Sequence, residues 1–325
     1  MPPNVSVIIP NWNGCQLLRR CISALIAQTF SDFEIIVVDN GSQDGSVQWL
    51  ETQASHVHVI RNSTNLGFAV ANNQGIRASS ASLIATLNND AVPAPDWLEA
   101  LAQAADRAGR VGMFASKILL CEPEGHMDSA GMEVDRAGVA WNRRWRLRDP
   151  GQETEYAEVF CPSAAAALYR REMLNQIGLF DEDLFAYYED VDLAWRARWA
   201  GWACLYVPQA VVRHAHSATL GRGAPLKIRL LSRNKWWTIV KNYPFRAMAR
   251  YIPIMILFDV GAMLAAALTG RTLSPMCGRW AALCSLRKMW QKRREVQRHA
   301  RGAIDWHATL VPVRLPIRSP RGLSR

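Results

Sequence analysis

The sequence predicts an α/β fold: a doubly wound, mostly parallel sheet flanked by helices, followed by a helical, basic C-terminal region. Three observations carry this. Short apolar runs alternate with segments of helical length through the first hundred residues. Stretches rich in Asn, Asp, Ser and Gly follow those runs. Charge then divides near residue 225, with 18 Lys+Arg against 25 Asp+Glu before it and 20 against 3 from there on.

The first run, Val5–Pro10, is aliphatic without polar alternation, as a strand buried on both faces requires. Gly14–Gln28 follows as a helix. Glu34–Asp39 is the second strand and Gly45–Thr52 the second helix. His56–Arg61 and Gly67–Ser79 repeat the pair, as do Leu83–Leu87 and Pro95–Ala108. In open parallel sheets, ligands bind beyond the carboxyl ends of the strands. The four ends here read Pro10-Asn11-Trp12-Asn13, Asp39-Asn40-Gly41-Ser42, Asn65-Leu66-Gly67 and Asn88-Asn89-Asp90. Any one of them is explained by a turn or a helix cap. Four at one sheet edge point to a polar ligand.

Composition narrows the rest. The chain has 325 residues, a formal charge of +10, half its residues hydrophobic and a fifth charged, which excludes wholesale disorder. Its seven cysteines have no CxxC or zinc-finger spacing, so neither a disulfide framework nor a structural zinc is expected. Met1–Asn4 carry no basic n-region, and no secretory leader is expected. No GxGxxG follows a strand and no GxxxxGK[ST] occurs, which argues against the common dinucleotide and P-loop sites. Gly131–Pro162 is irregular and holds Arg143, Arg144, Arg146 and Arg148, either as a loop over the site or as a solvated face. Farther on, Glu189, Asp190 and Asp192 stand beside Tyr187 and Tyr188 at a helix start, where acidic residues also serve as caps.

Together, VSVIIPNWNG, EIIVVDNGSQDGS, LNNDA and GLFDEDLFAYYEDVDLAWRARWAGW, in that order, resemble family 2 glycosyltransferases, inverting enzymes with a GT-A nucleotide-sugar fold. The resemblance covers about residues 4–220. NLGFAVANNQG and the Asn-Asn-Asp triplet are most similar to bacterial rhamnosyltransferases of cell-surface polysaccharide synthesis. It implies that Pro10, Asn11 and Asn13 contact the nucleotide and that Asp39 contacts its base. Asn40, Asn65, Asn88 and Asn89 complete the implied nucleotide-sugar site. Asp90 is the implied carboxylate for a divalent metal, Mg²⁺ or Mn²⁺, sharing its shell with the diphosphate. Asn88 stands where many relatives have Asp, leaving one carboxylate fewer. The implied general base is Asp190, with Glu189 the alternative and Asp192 structural. His214 is either a metal or diphosphate ligand or an ordinary buried histidine, and His216 less a candidate.

The implied partners are a nucleotide-sugar donor and a saccharide or lipid-linked saccharide acceptor. A UDP-hexose or N-acetylhexosamine transferase, or a non-catalytic nucleotide-sugar-binding scaffold, remains open. Residues 225–325 form the second expected region, after a catalytic domain at 1–224. Tyr251–Leu268 is apolar but interrupted by Asp259 and Pro253, at the lower limit of a span and equally suited to lying on a bilayer. Arg279–Arg301 has the composition of a surface for anionic lipid. Basic charge alone also permits nucleic acid, but no recognition motif accompanies it, so none is expected. The expected location is the cytoplasmic face of a bacterial inner membrane, peripheral or monotopic.

Overall fold

The computed structural model describes residues 2–54, 56–151, 154–215, 224–268, 273–298, 300, 302 and 304–314. The alternation is present: β1 (Val5–Asn11), α1 (Cys15–Ile26), β2 (Phe33–Asp39), α2 (Ser46–Gln53), β3 (His58–Arg61), α3 (Phe68–Ala78) and β4 (Leu83–Leu87) follow in order. After β5 (Ala91–Pro93) come α4 (Trp97–Arg107), β6 (Val111–Leu120), β7 (Met127–Ala130) and a small ribbon of β8 (Met132–Val134) with β9 (Ala140–Asn142). β10 (Ala157–Val159), β11 (Ala166–Arg170), α5 (Arg171–Ile177), α6 (Glu189–Trp199) and β12 (Ala203–His214) close the sheet. α7 (Pro225–Asn242), α8 (Phe245–Leu268), α9 (Ser274–Cys284) and α10 (Leu286–Arg298) follow.

The main path of the sheet runs β10-β12-β6-β11-β4-β1-β2-β3, with β5 paired to β12 and β7 to β6. β1 pairs in parallel with both β2 and β4, β2 with β3, and β12 with β6. β11 enters antiparallel between β4 and β6, which no period in the sequence announces. The parallel strands are covered on both sides. Val5, Val7 and Ile9 face one core with Leu18, Ile22, Trp97 and Leu101. Ile8 faces the other, with Ile36, Ile76, Tyr169 and Trp195. This two-sided burial explains why the strands read as continuous aliphatic runs.

The charge changes at residue 225, but the packing runs through it. Ile239 and Tyr243 belong to the same core as β1 and α6, and the Tyr243 ring lies 4.7 Å from that of Trp195. α8 begins at Phe245, before the apolar run, and is the one helix among the described residues long and apolar enough to cross a membrane. Its inner side carries Ala247, Met255 and Asp259, all buried. Asp259 accepts from Lys235 Nζ (2.5 Å) and Trp236 Nε1 (2.5 Å) of α7 and from Arg279 Nε (2.7 Å) of α9. The charge that interrupts the apolar run is thus a clasp between three helices.

Packing of α3 against β1 rests on Gly75. A Cβ there would lie 2.4 Å from Ile8 Cγ2, with strand and helix both fixed. Gly75→Val is therefore expected to lower the unfolding free energy by about 1–3 kcal/mol through overpacking, read as a reduced denaturant midpoint at unchanged slope.

Candidate functional site

β1 ends at the middle of the sheet, and its last residue ties three strand ends together. Asn11 pairs directly across from Asp39. Its Nδ2 donates to Asp39 Oδ2 (2.9 Å) and Ser42 Oγ (3.2 Å), while its Oδ1 accepts from Asn89 Nδ2 (2.8 Å). Asp39 Oδ1 accepts from the Ser42 amide (2.9 Å). Asn13, at a positive φ of 49°, accepts from the Gln43 amide (2.8 Å) and donates its own amide to Ser42 Oγ (2.9 Å). Asn65 turns the third loop by accepting from the Gly67 amide (2.9 Å).

Beyond this edge opens a cleft of about 420 Å³. Of the residues expected from the sequence, Pro10, Asn11, Asn40, Asn65, Asn88, Asn89, Asp90, Glu189, Asp190 and His214 all line it. Asp39 and Asn13 do not: Asp39 is buried beneath Asn11, and Asn13 braces the second loop. Leu226, Lys227 and Leu231 of α7 also line the cleft, as do Trp12, Phe68 and Phe185.

On one wall His214, the last residue of β12, lies between two carboxylates. Its Nε2 is 3.0 Å from Asp90 Oδ1 and its Nδ1 is 2.6 Å from Asp128 Oδ2. Burial alone would favour the neutral ring, but the hydrogen bonds and charges of Asp128 and Asp90 outweigh it and raise the imidazole to about 10. The same contacts hold Asp90 below the usual carboxylate range against its burial. The Asn88 amide nitrogen is 3.2 Å from His214 Nε2. Asp128 was missing from the sequence reading. It lies 86 residues from His214, and no motif links the two.

The described residues contain no convergent set of three carboxylate, imidazole or thiol groups suited to a metal cage. They do hold a pair that fits a shared ion. Asp90 and His214 Nε2 meet at the cleft, where a bound ion would take the place of the proton that the raised imidazole shares with Asp90, and Asp128 anchors the far ring nitrogen, the usual second-layer support of a ligating histidine. One carboxylate and one imidazole leave most of a coordination shell to phosphate oxygens and water, as magnesium and manganese sites at nucleotides do. His216 lies outside the described residues.

On the floor, α6 begins with the two acidic candidates. Glu189 is buried, and among the described residues its Oε2 has no hydrogen-bond partner. Burial and the neighbouring Asp190 push its carboxyl well above the usual range. Asp190 is part-exposed. It accepts from the Val191 amide (2.8 Å) and the Ala164 amide (3.3 Å), and burial lifts it to about 6. Asp192 faces away, accepting from Arg196 (3.0 Å), Lys241 (2.9 Å) and Asn242 (2.7 Å).

The backbone leading into α6 is unusual. Phe185, Tyr187 and Tyr188 have φ of 65°, 69° and 70°. At Phe185, with ψ −63°, the Ala186 amide donates back to the Leu184 carbonyl (2.8 Å), a γ-turn of the rarer hand. Non-glycine residues held there cost on the order of 1–3 kcal/mol each and persist only where their surroundings force them. Gly67 makes the close approach possible, since a Cβ at that position would meet the Phe185 ring at 2.5 Å.

A parallel sheet whose strand ends collect asparagines and an Asp-His-Asp chain, facing a carboxylate pair across one cleft, defines a protein of the GT-A nucleotide-sugar class. The family model for glycosyl transferase family 2 matches residues 6–178, and the chain belongs to that family. It is 30% identical over 227 residues to the O-antigen biosynthesis protein RfbC of Myxococcus xanthus, covering 67% of this chain and 18% of RfbC. It is 30% identical over 228 residues to the N-acetylglucosaminyl-diphospho-decaprenol L-rhamnosyltransferase of Mycobacterium tuberculosis, covering 63% of this chain and 74% of that one. An uncharacterized protein of Sinorhizobium fredii is 31% identical over 236 residues, and the match spans 25% of its length. Two solved structures share the fold. GalNAc-T7 with UDP, GalNAc and Mn²⁺ aligns at a TM-score of 0.58 and 18% identity, over 74% of this chain and 50% of that one. The mannosyltransferase of Pyrobaculum calidifontis with GDP-Man and Mn²⁺ aligns at 0.53 and 17%, over 92% and 86%.

Asn11→Ala removes the partner of Asp39 Oδ2 and of Asn89 Nδ2 inside the fold. Each orphaned polar group costs about 1–3 kcal/mol, so a fall of that order in unfolding free energy is expected. Ser42→Ala leaves the Asn11–Asp39–Asn89 links in place and should cost less in the same denaturation assay.

Proposed function

We propose that the chain is an inverting glycosyltransferase that moves rhamnose from dTDP-rhamnose to a lipid-linked or growing saccharide. The observation that carries the reading is the gathering of four strand-end loops and the Glu189–Asp190 pair around one cleft. Likeness to the mycobacterial relative, whose name gives a rhamnosyltransferase acting on a diphospho-decaprenol acceptor, supports the donor and the lipid-linked acceptor. Direct transfer with inversion needs a base on the acceptor side and a stabilised leaving group on the other.

The two carboxyls have pKa values pushed apart, which assigns them different work. Burial and the charge of Asp190 bias Glu189 toward its protonated form, which can donate a hydrogen bond. Asp190, at about 6, is mostly ionised at pH 7 yet basic enough to accept the proton of an attacking hydroxyl. Asp90 and His214 would hold a divalent metal, which when bound supplies positive charge for the departing diphosphate. Asn11, Asn40, Asn65, Asn88 and Asn89 offer donors and acceptors to the nucleotide sugar, while Asp39 stiffens Asn11 from below.

A screen of dTDP-rhamnose, UDP-glucose, UDP-N-acetylglucosamine and GDP-mannose, with and without Mn²⁺, tests the reading. Turnover of the first above the others is expected; no turnover of any sinks it. Asp190→Asn should lower kcat by about 10²–10⁴-fold with donor affinity nearly unchanged. In the parent protein kcat should fall as pH drops through about 6, because the raised carboxyl takes up its proton there and stops acting as a base.

The same proposal sets the protein on an anionic bilayer at the cytoplasmic face of the inner membrane, as a monotopic protein. The outer side of α8 exposes Ile256, Leu257, Val260 and Leu264, and α9 continues it with Trp280 and Leu283. Exposed Arg287, Arg294 and Arg298 follow on α10. Apolar burial with basic flanks is the composition of an interfacial anchor. The Asp259 clasp supports lying over crossing, since a crossing α8 would carry Lys235 and Arg279 into hydrocarbon with it. Co-sedimentation with phosphatidylglycerol vesicles at low salt is expected, reduced but not abolished by high salt. Replacing Leu257 and Trp280 together by Glu should remove the salt-resistant part.

A further inference from the structure

The segment between Asp181 and Asp192 carries both acidic residues of the cleft floor, and it does not hold its own shape. Three non-glycine residues out of four, Phe185, Tyr187 and Tyr188, sit at positive φ immediately before Glu189. Something outside the segment must impose that path. One neighbour is the start of α3, where the Ala69 amide donates to the Phe185 carbonyl (3.1 Å). The other is α7. Asn234 is fully buried, and its Nδ2 lies 2.9 Å from the Leu184 carbonyl, 2.9 Å from Ala186 and 2.8 Å from Tyr187. Its Oδ1 accepts from Arg233 Nε (2.9 Å), and Arg233 Nη2 donates to the carbonyls of Asp183 and Leu184, both at 3.1 Å.

We infer that Asn234 is the positioning residue of the catalytic loop, setting the direction from which Asp190 meets the acceptor. This rests on the reading of Asp190 as the base. The chemistry of the side chain is specific to the task. A chain that turns repeatedly through positive φ directs several carbonyls to one side, and an amide NH₂ is a compact neutral donor for converging carbonyls. Lysine would bring a charge, and aspartate of the same shape would set oxygen against oxygen. The Asn234 amide bonds the carbonyls of 184–187 and none of the four strand-end loops, so its effect should fall on turnover rather than on nucleotide binding. Sequence reading passed over it because it stands in a basic stretch, fifty residues from the carbonyls it holds.

The test compares Asn234→Ala, Asn234→Asp and Ile239→Ala in the full-length protein. Ile239 is buried on the same helix and packs against Gly138, whose carbonyl accepts from the Tyr188 hydroxyl (3.3 Å), but it offers no polar atom to the loop carbonyls. With dTDP-rhamnose, the two Asn234 variants are expected to lose about 10²-fold in kcat, the scale of a small misplacement of a reacting group. Their donor KM should stay within about threefold, the split that marks an effect on the chemical step. Ile239→Ala should lower Tm comparably while keeping most of its kcat. Amide hydrogen exchange, read without substrate, should accelerate across residues 184–190 in both Asn234 variants and not in Ile239→Ala. Wild-type turnover by Asn234→Asp, equal loss in Ile239→Ala, or unchanged loop exchange in Asn234→Ala would each overturn the inference. If the parent protein turns over no nucleotide sugar while the exchange difference stands, the transferase reading fails and the hold of Asn234 on the loop does not.

Discussion

Asn11 ends the central strand, and its side chain is bonded to the ends of both neighbours, Asp39 on β2 and Asn89 beyond β4. The rest of the cleft is built outward from that link. Parallel pairing puts the three strand ends at one height, and a single amide then fixes how far apart their loops can stand. Asn40 extends the arrangement to the third loop through Asn62 (2.9 Å) and the Gly67 carbonyl (3.3 Å). Gly67 in turn admits Phe185, and Phe185 brings the loop that ends at Asp190 over the same edge. Buried networks of this kind are rigid when every member is satisfied.

The parallel half of the sheet was legible because its physics is local. Strands buried on both faces show up as aliphatic runs, and their carboxyl ends must share an edge, so the loops after residues 10, 39, 61 and 87 belong together by parallel pairing alone. β11 was not legible. An antiparallel strand inserted between β4 and β6 has the same two-sided burial and no signature of direction. The acidic pair at 189 and 190 was legible as a pair, but the different shifts of its two carboxyls depend on burial, which a sequence does not display. Asp128 and Asn234 escaped for a third reason. Each acts on a group far along the chain, and neither belongs to a spacing pattern that chemistry demands.

The basic region looked like an appendage by charge, yet its first helix is shared between two neighbours. Consecutive residues of α7 serve different neighbours: Asn234 bonds the carbonyls before α6 and Lys235 bonds Asp259 of α8. Lys241 continues the inner contact, bonding Asp181 (2.6 Å) and Asp192 (2.9 Å), while Lys292 of α10 reaches Asp181 and Asp183. Asp181 is held far below the usual carboxylate range by these lysines despite its burial. Part of the positive charge that sets residues 225–325 apart, on Lys241, Lys288, Lys292 and Arg314, is therefore spent on carboxylates of the acidic half.

That arrangement fixes a sequence of events in time. Ribosomes deliver the sheet first, and roughly a hundred further residues take about 5–20 s to emerge at ordinary elongation rates. Until α7 is out, Asp192 has no lysine and the carbonyls of 184–187 have no amide to converge on. A nascent chain can assemble its strand-end loops, but the path into α6 stays undefined. The helices that complete that path, α7 and α10, flank in the chain the two that present an apolar face, α8 and α9. A fixed path into α6 and the exposed apolar face of α8 and α9 therefore arise within one stretch of synthesis, after the sheet is already assembled.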